Sequence, residues 1–360
     1  MNFRLPAFFP DATYASINSL PFHDISLELK GIVITTLHSY LHKIDTISEN
    51  MGGFKNFAKL NNIITLSDSG GFQVYSLIER TGRGEVTNTG ATFMEPKSGS
   101  RITLTPELSQ QIQKRLNTDI RVALDFFSDD PDKLEKQANS VRITTEWAKR
   151  SKQEFLIQEQ LSEDDFSSHP ISVEGNIVSS QRPLLVGVNQ GGNIEELRVE
   201  SARELKQIGF DIYGFGGWPL DKNSHLNTRI IEAYADQFSN SDILYGMGIG
   251  TPDDIAKCYK IGLKLFDCVL PTRNARHGLI YVTKGKGEPS GELFDTLHIK
   301  HSRYQLDKLP LDPSCDCPVC KNYNRAYIRL LQKNKNTVGS MLATLHNVWW
   351  YLRFMENLPK

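Results

Sequence analysis

Asp267 ends an apolar run and is followed by Pro271, Thr272, Arg273, Asn274 and, three residues past the first arginine, Arg276. A carboxylate at a strand end can act as a nucleophile, and arginines beside it can hold the phosphates of a polymeric substrate. Taken alone, this is an ordinary strand end with a basic loop. A second carboxylate, Asp68, sits in the run Ser67-Asp68-Ser69-Gly70-Gly71-Phe72-Gln73, and three cysteines crowd into Cys315-x-Cys317-x-x-Cys320.

The cysteines carry the most local signal. The chain has five cysteines; an odd number with three of them in six residues suits metal binding in a reducing compartment better than a disulfide framework. Three thiolates on one tight turn need a fourth ligand to complete a tetrahedron. His346 is the best candidate, because it lies in the downstream helical stretch able to fold back. Cys₃His is a common structural zinc set with no open position, so one structural Zn²⁺ per chain is expected, clipping the C-terminal helices onto the body of the protein.

These residues need a scaffold, and the 360-residue chain is long enough to bury a large core. Short apolar runs recur at residues 7–9, 31–36, 63–66, 121–125, 184–188, 211–215, 243–247 and 265–269. Amphipathic segments at 106–116, 132–156, 194–207, 227–238 and 252–261 lie between them. Eight strand–helix units predict an α/β fold, a (β/α)₈ TIM barrel, whose active site lies at the carboxyl ends of the strands. Those ends are unusually polar or glycine-rich: Asp68-Ser69-Gly70, Asp125, Gln190, Gly216-Gly217-Trp218, Met247 and Asp267. Residues 1–277 read as the barrel. An antiparallel insertion is expected near 82–105 and a mobile Ser/Asp/Glu-rich loop near 162–182. Residues 278–360 read as a zinc-binding subdomain with hairpin strands and terminal helices. With 41 basic and 42 acidic residues the net charge is −1, so a nucleic-acid partner must meet local positive charge. No signal-peptide layout and no long apolar run is seen, which points to a cytoplasmic protein without membrane spans.

Together the motifs resemble the tRNA-guanine transglycosylases (queuine tRNA-ribosyltransferases). The matching pieces are SDSGGFQVYSL, GVNQGG, FGG, MGIGTPDD, FDCVLPTRNARHG and CDCPVC…LHN, in the family's order. The resemblance implies exchange of guanine in the anticodon loop of tRNA for a 7-deazaguanine base, as in queuosine biosynthesis, by a homodimeric pentosyltransferase. By motif match Asp267 is the expected nucleophile toward ribose C1′ and Asp68 the expected acid/base group. Cleaving an N-glycosidic bond through an oxocarbenium-like state suits such a pair, one to trap the carbon and one to move the proton. Base contacts are expected from Asp125, Gln190, Gly216, Gly217, Trp218, Ser69 and Gly70, with Phe72 and Met247 as ring walls. Arg273, Arg276, Thr272 and Asn274 are the expected tRNA contacts, around a flipped-out target base.

The chain departs from the family's pattern in places. Trp218-Pro219 stands where a Leu-Ala stretch is usual, and Phe126-Phe127 where Glu-Cys is frequent; both positions adjoin the expected site of the base's 7-substituent. The incoming base is therefore left among the aminomethyl precursor (preQ1), queuine and the 7-cyano base (preQ0). The N-terminus reads as lacking an opening strand pair. Two alternatives remain at this point: a relative that modifies DNA, and a non-catalytic RNA-binding partner subunit.

Overall fold

The computed structural model describes residues 1–60, 62–168, 172–174 and 176–358. Eight parallel strands form the centre: β1 (Ala7–Pro10), β2 (Gly31–Ile34), β3 (Ile64–Ser67), β4 (Ile120–Val122), β5 (Leu184–Asn189), β6 (Ile212–Phe215), β7 (Ile243–Gly246) and β8 (Leu263–Cys268). They pair in the order β1-β8-β7-β6-β5-β4-β3-β2. A parallel bridge from Asp11 to Val33 and the Ala12 N–H···O Val33 bond of 2.7 Å join the two edges and close the barrel. The strands are apolar because both faces are covered: β1, β2, β3, β5, β6 and β7 are buried throughout.

The two-residue period of a strand sorts their side chains. Ala7, Phe9, Val33, Ile64, Leu66, Ile120, Val122, Val186, Val188, Ile212, Tyr245 and Leu265 fill the lumen, whereas Phe8, Ala123, Leu185, Tyr213, Leu244 and Phe266 pack outward under the helices. Continued toward the carboxyl ends, the inward parity passes to Asp11, Asp68, Gln190, Met247 and Asp267. Strand geometry thus carries the chemistry-bearing residues to one mouth.

The segment expected as an antiparallel insertion is a three-stranded sheet, Gly84–Val86, Ala91–Met94 and Arg101–Leu104. Two expectations need correction. The stretch 162–182 is not simply a loop: helix Glu163–Ser168 is followed by strands Ser172–Glu174 and Ile177–Ser179, while 169–171 and 175 lie outside the described residues. The N-terminus does open on a strand, Asn2–Arg4, which pairs with Ile177–Ser179. Phe3, Leu5 and Val178 from this small sheet join the lumen cluster and plug its amino-terminal end. Each strand is three residues long, too short for a periodic signal, and only their mutual pairing makes them strands.

After β8 the chain enters a helix, Leu270–His277, where a basic loop was expected. Pro271 suits its first turn, where the missing N–H costs nothing, and Gly278 at φ +88° ends it. Strands Leu279–Thr283, Glu288–Pro289 and Phe294–His298 follow, then helices Pro318–Asn322, Arg325–Lys333 and Thr337–Glu356. The last helix docks on the barrel: Asn347 Nδ2 donates to Pro271 O at 3.1 Å and Leu279 O at 3.0 Å, and Tyr351 Oη donates to Gly250 O at 2.8 Å. Among the described residues no helix is long and apolar enough to cross a membrane.

Candidate active site and metal centre

Asp267 lies on β8 at the mouth. Its Oδ1 accepts from Tyr245 Oη at 2.6 Å and from Gly248 N–H at 2.9 Å. Burial raises its pKa, and these two donors oppose the rise by favouring the anion. Asp68 follows β3. Thr36 N–H donates to its Oδ1 at 2.7 Å and Gln73 Nε2 to its Oδ2 at 2.9 Å. Burial pushes the Asp68 carboxyl up to about 7; the two hydrogen bonds pull it down, and like charge on Asp11 and Asp267 adds to the rise. A carboxyl poised near neutrality can both give and take a proton.

Asp11 is the mouth residue that sequence reading missed. It is one step beyond β1, between the strand that carries Asp267 and the strand that leads to Thr36. Thr13 Oγ1 donates to its Oδ1 at 2.6 Å. Its own pKa is raised by burial, with His38 and Arg276 acting the other way. Its signal was present, since Ala7, Phe9 and Asp11 share one parity, but the matched motifs do not include it. Tyr245, Thr36 and Gln73 were likewise not singled out; they matter through the carboxylates they hold.

The expected base contacts gather beside these acids. Asp125 is buried, with Ser69 Oγ donating to Oδ1 and Gln190 Nε2 to Oδ2, each at 2.8 Å. Burial raises its pKa against both bonds. Gly71 packs so closely that a Cβ there would lie 2.4 Å from Asp125 O. Gly70 caps the Gly71–Thr81 helix with φ +83°. Gly217, at φ +80°, faces Gln190: a Cβ there would lie 2.9 Å from Gln190 Oε1. Gly216 is tighter still, at 2.5 Å from Val188. Met247 is half-buried, and its sulfur would be 2.7 Å from a Cβ on Gly214. Phe72 is exposed and meets Phe127 edge-on at 5.2 Å. Phe127 also contacts Tyr75 at 4.7 Å and Trp218 at 5.4 Å. The two unusual phenylalanines part company here. Phe127 joins this aromatic cluster, whereas Phe126 turns toward Trp147 at 6.3 Å, away from the mouth.

The four expected tRNA contacts do not share one environment. Arg273 is exposed and Arg276 is half-buried, with Nε donating to Thr272 O at 3.2 Å. Thr272 is buried, its hydroxyl on Val269 O at 3.1 Å. Asn274 donates Nδ2–H to Tyr281 Oη at 2.7 Å. Helical geometry separates them: of the four, the arginines keep a free face, and the other two side chains tie the helix down.

Far along the chain, Cys315, Cys317, Cys320 and His346 bring one donor atom each to within 4.8 Å of one another. His346 Nδ1 lies 3.3 Å from Cys320 Sγ and 3.5 Å from Cys317 Sγ. Its Nε2 is 2.8 Å from Tyr281 O, an N–H···O bond that fixes the tautomer and leaves Nδ1 free as a ligand. Hydrogen bonds from the Cys315 and Cys320 thiols favour the thiolate of Cys317, lowering its pKa. The soft, compact donor set fits a metal ion.

A family model described as queuine tRNA-ribosyltransferase matches residues 1–359. Among similar proteins, the queuine tRNA-ribosyltransferase of Acinetobacter baumannii strain ATCC 17978 is 34% identical over 354 residues, covering 98% of this chain and 85% of the relative. That of Acinetobacter baylyi is 34% identical, with 98% and 83% covered. The enzyme of that name from Francisella tularensis subsp. novicida is also 34% identical, over 99% of this chain and 88% of its own. With a family match along nearly its whole length and a barrel mouth holding opposed carboxylates, the chain belongs to the queuine tRNA-ribosyltransferase family of pentosyltransferases.

Proposed function

We propose that this enzyme exchanges guanine at the wobble position of GUN-anticodon tRNAs for a 7-deazaguanine base through a covalent Asp267–ribosyl intermediate. The observation that carries the reading is the division of labour between two carboxylates at one mouth. Asp267 has both its protein donors on Oδ1, which leaves Oδ2 to attack C1′. As the C1′–O bond forms, the C1′–N9 bond breaks and its electron pair leaves with guanine. Asp68, protonated for part of the time at neutral pH, supplies the proton to the departing base. The incoming base then loses its N9 proton to Asp68, attacks C1′ and expels Asp267. Two inversions restore the original configuration.

Asp125 and Gln190 would read the base edge, Ser69 would hold Asp125 in place, Gly70 would let the backbone approach the base, and Phe72 and Met247 would flank the ring. Trp218 and Phe127 would border the 7-substituent. Arg273 and Arg276 would grip the anticodon loop. Residues 1–277 hold the chemistry in this reading. Residues 278–360 form a subdomain in which Cys315, Cys317, Cys320 and His346 hold a structural Zn²⁺ with no open position. A homodimer is part of the proposal: Tyr323, Tyr327 and Leu330 leave an exposed apolar face suited to a second copy.

The test is incorporation of radiolabelled guanine into unmodified GUN tRNA, with double-stranded DNA in parallel. Label in tRNA alone supports the reading. Label in DNA alone, or in neither, defeats it. Competition by preQ1, queuine and preQ0 then identifies the incoming base.

A further inference from the structure

Arg198 is fully buried, yet no carboxylate among the described residues pairs with it. It projects from helix Glu195–Ile208 to the rear of the base pocket. Its Nε donates to Gly192 O at 2.8 Å. Its Nη1 lies 2.8 Å from Gly216 O, 3.1 Å from Asn189 O and 3.1 Å from Asn189 Oδ1. The guanidinium lies 4.0 Å from the Phe215 ring centroid. Its Nη2 has no hydrogen-bond partner among the described residues and points to Gly217, where a Cβ would be only 3.3 Å away. Burial brings its pKa down to about 9, with the Tyr234 phenol as its titratable neighbour. Burying an unpaired cation is expensive, so a purely structural residue would be expected to carry a counter-ion.

The acceptors explain the arrangement. Asn189 ends β5, and Gly192 and Gly216 lie in the turns that follow β5 and β6 and frame Gln190 and Gly217. A trans peptide is planar, and its C=O and N–H point in opposite directions. Arg198 draws the Gly216 carbonyl to the rear, which turns the Gly217 N–H forward, into the pocket beside Gln190. The Gly216 N–H is already engaged with Asn189 O at 3.0 Å. The floor of the pocket therefore offers donors backed by a fixed positive charge.

We propose that Arg198 is the positioning residue that makes this pocket select a 6-oxo purine edge, that of guanine or a 7-deazaguanine, over a 6-amino edge. A carbonyl oxygen meets the Gly217 N–H and the positive field. An amino group there would set donor against donor, leaving a buried N–H unsatisfied. The inference rests on the reading of the mouth as a guanine-exchange site.

The experiment compares wild type, Arg198→Lys and Asn189→Asp in full-length protein, using guanine, 2,6-diaminopurine and hypoxanthine as bases. Lysine keeps the charge, but its three donors sit on one nitrogen and cannot reproduce the separate Nε and Nη1 contacts to Gly192 O and Gly216 O. Asn189→Asp keeps the arginine and neutralises it. Folding is checked by thermal melting. Arg198→Lys should raise the guanine KM by about tenfold, lower kcat less, and leave the tRNA KM within about twofold of wild type. Preference for guanine over 2,6-diaminopurine should fall by about tenfold, while preference for guanine over hypoxanthine, which tests the Asp125 side, should hold. Asn189→Asp leaves Arg198 on the Gly216 carbonyl and cancels only its positive field, so it should lose part of the preference, about threefold, a readout that stands even if Arg198→Lys fails to fold. A folded variant with unchanged guanine KM and preference overturns the proposal, as does an equal loss against hypoxanthine, which would indicate general loosening. If wild type exchanges no base at all, the parent reading falls first and takes this one with it.

Discussion

The barrel mouth and the thiol corner both gather polar side chains, but they use them in opposite ways. In the corner, three thiols and one imidazole face one another within 4.8 Å, and the remaining ring nitrogen is tied to Tyr281 O. Every group is turned inward. At the mouth, Asp267 takes both donors on one oxygen, and Asp68, Asp11 and Asp267 crowd like charge into one space. Burial lifts their pKa values together. A closed, mutually satisfied cluster suits a structural role. A cluster with hydrogen-bonding capacity left over, at a cost in stability, suits chemistry.

Breaking the mouth should therefore abolish exchange without unfolding the protein, and breaking the corner should do the reverse. The largest effect is expected from Asp267→Asn, which keeps the shape and removes the nucleophile. Exchange should drop by about 10⁴-fold or more, read in single-turnover assays, with the melting temperature close to wild type. If this variant still forms a covalent ribosyl-enzyme, the assignment of Asp267 is wrong.

Asp68→Asn should cost about 10²–10⁴-fold in exchange. It also sharpens the stability side of the contrast. A carboxyl raised to about 7 in the folded state from 3.8 contributes stability that is fully present below pH 3.8 and lost as pH rises toward 7. Removing it should raise the melting temperature relative to wild type at pH 8, and not at pH 4, by calorimetry. Equal shifts at both pH values would point to packing instead.

For the corner, Cys317→Ser or prolonged chelation should remove about one equivalent of zinc per chain, measured by elemental analysis. The melting temperature should fall by about 5–15 °C. The exchange rate per folded molecule should stay near wild type. Loss of rate without loss of stability would place the metal in the chemistry.

Asp11→Asn carries the smallest expected effect and tests the crowding itself. Removing one like charge should lower the pKa of Asp68, the proton donor to the departing guanine, so the alkaline limb of the pH–rate profile for guanine expulsion moves to lower pH. Activity near neutrality should change by about two- to fivefold. An unmoved limb would mean that Asp11 does not face Asp68 in solution.

Much of this contrast is legible in the sequence. The corner was nearly complete in the sequence, because a CxCxxC spacing places three thiolates on one turn whatever surrounds it. All eight barrel strands were marked by apolar runs, and helices such as Pro106–Leu116 and Pro252–Ile261 by their spacing and their proline starts. The plug of the barrel was not legible, since Asn2–Arg4 and Ile177–Ser179 become strands only by meeting each other across the molecule. Nor was the helix at Leu270–His277, where arginines and an asparagine read as a loop until the last helix packs against them.

The sequence by itself determined the period of the elements, the residue types at each strand end and the thiol spacing, because these depend on neighbours a few residues apart. Only the tertiary structure decided that Asp11 completes a triad of carboxylates, that Phe126 turns away while Phe127 joins Trp218, that Thr272 and Asn274 are bound up in packing, and that Arg198 lies unpaired behind Gly217. Each of these depends on barrel closure and on how one strand end is staggered against the next, a geometry fixed by contacts between residues as far apart in the chain as Asp11 and Asp267.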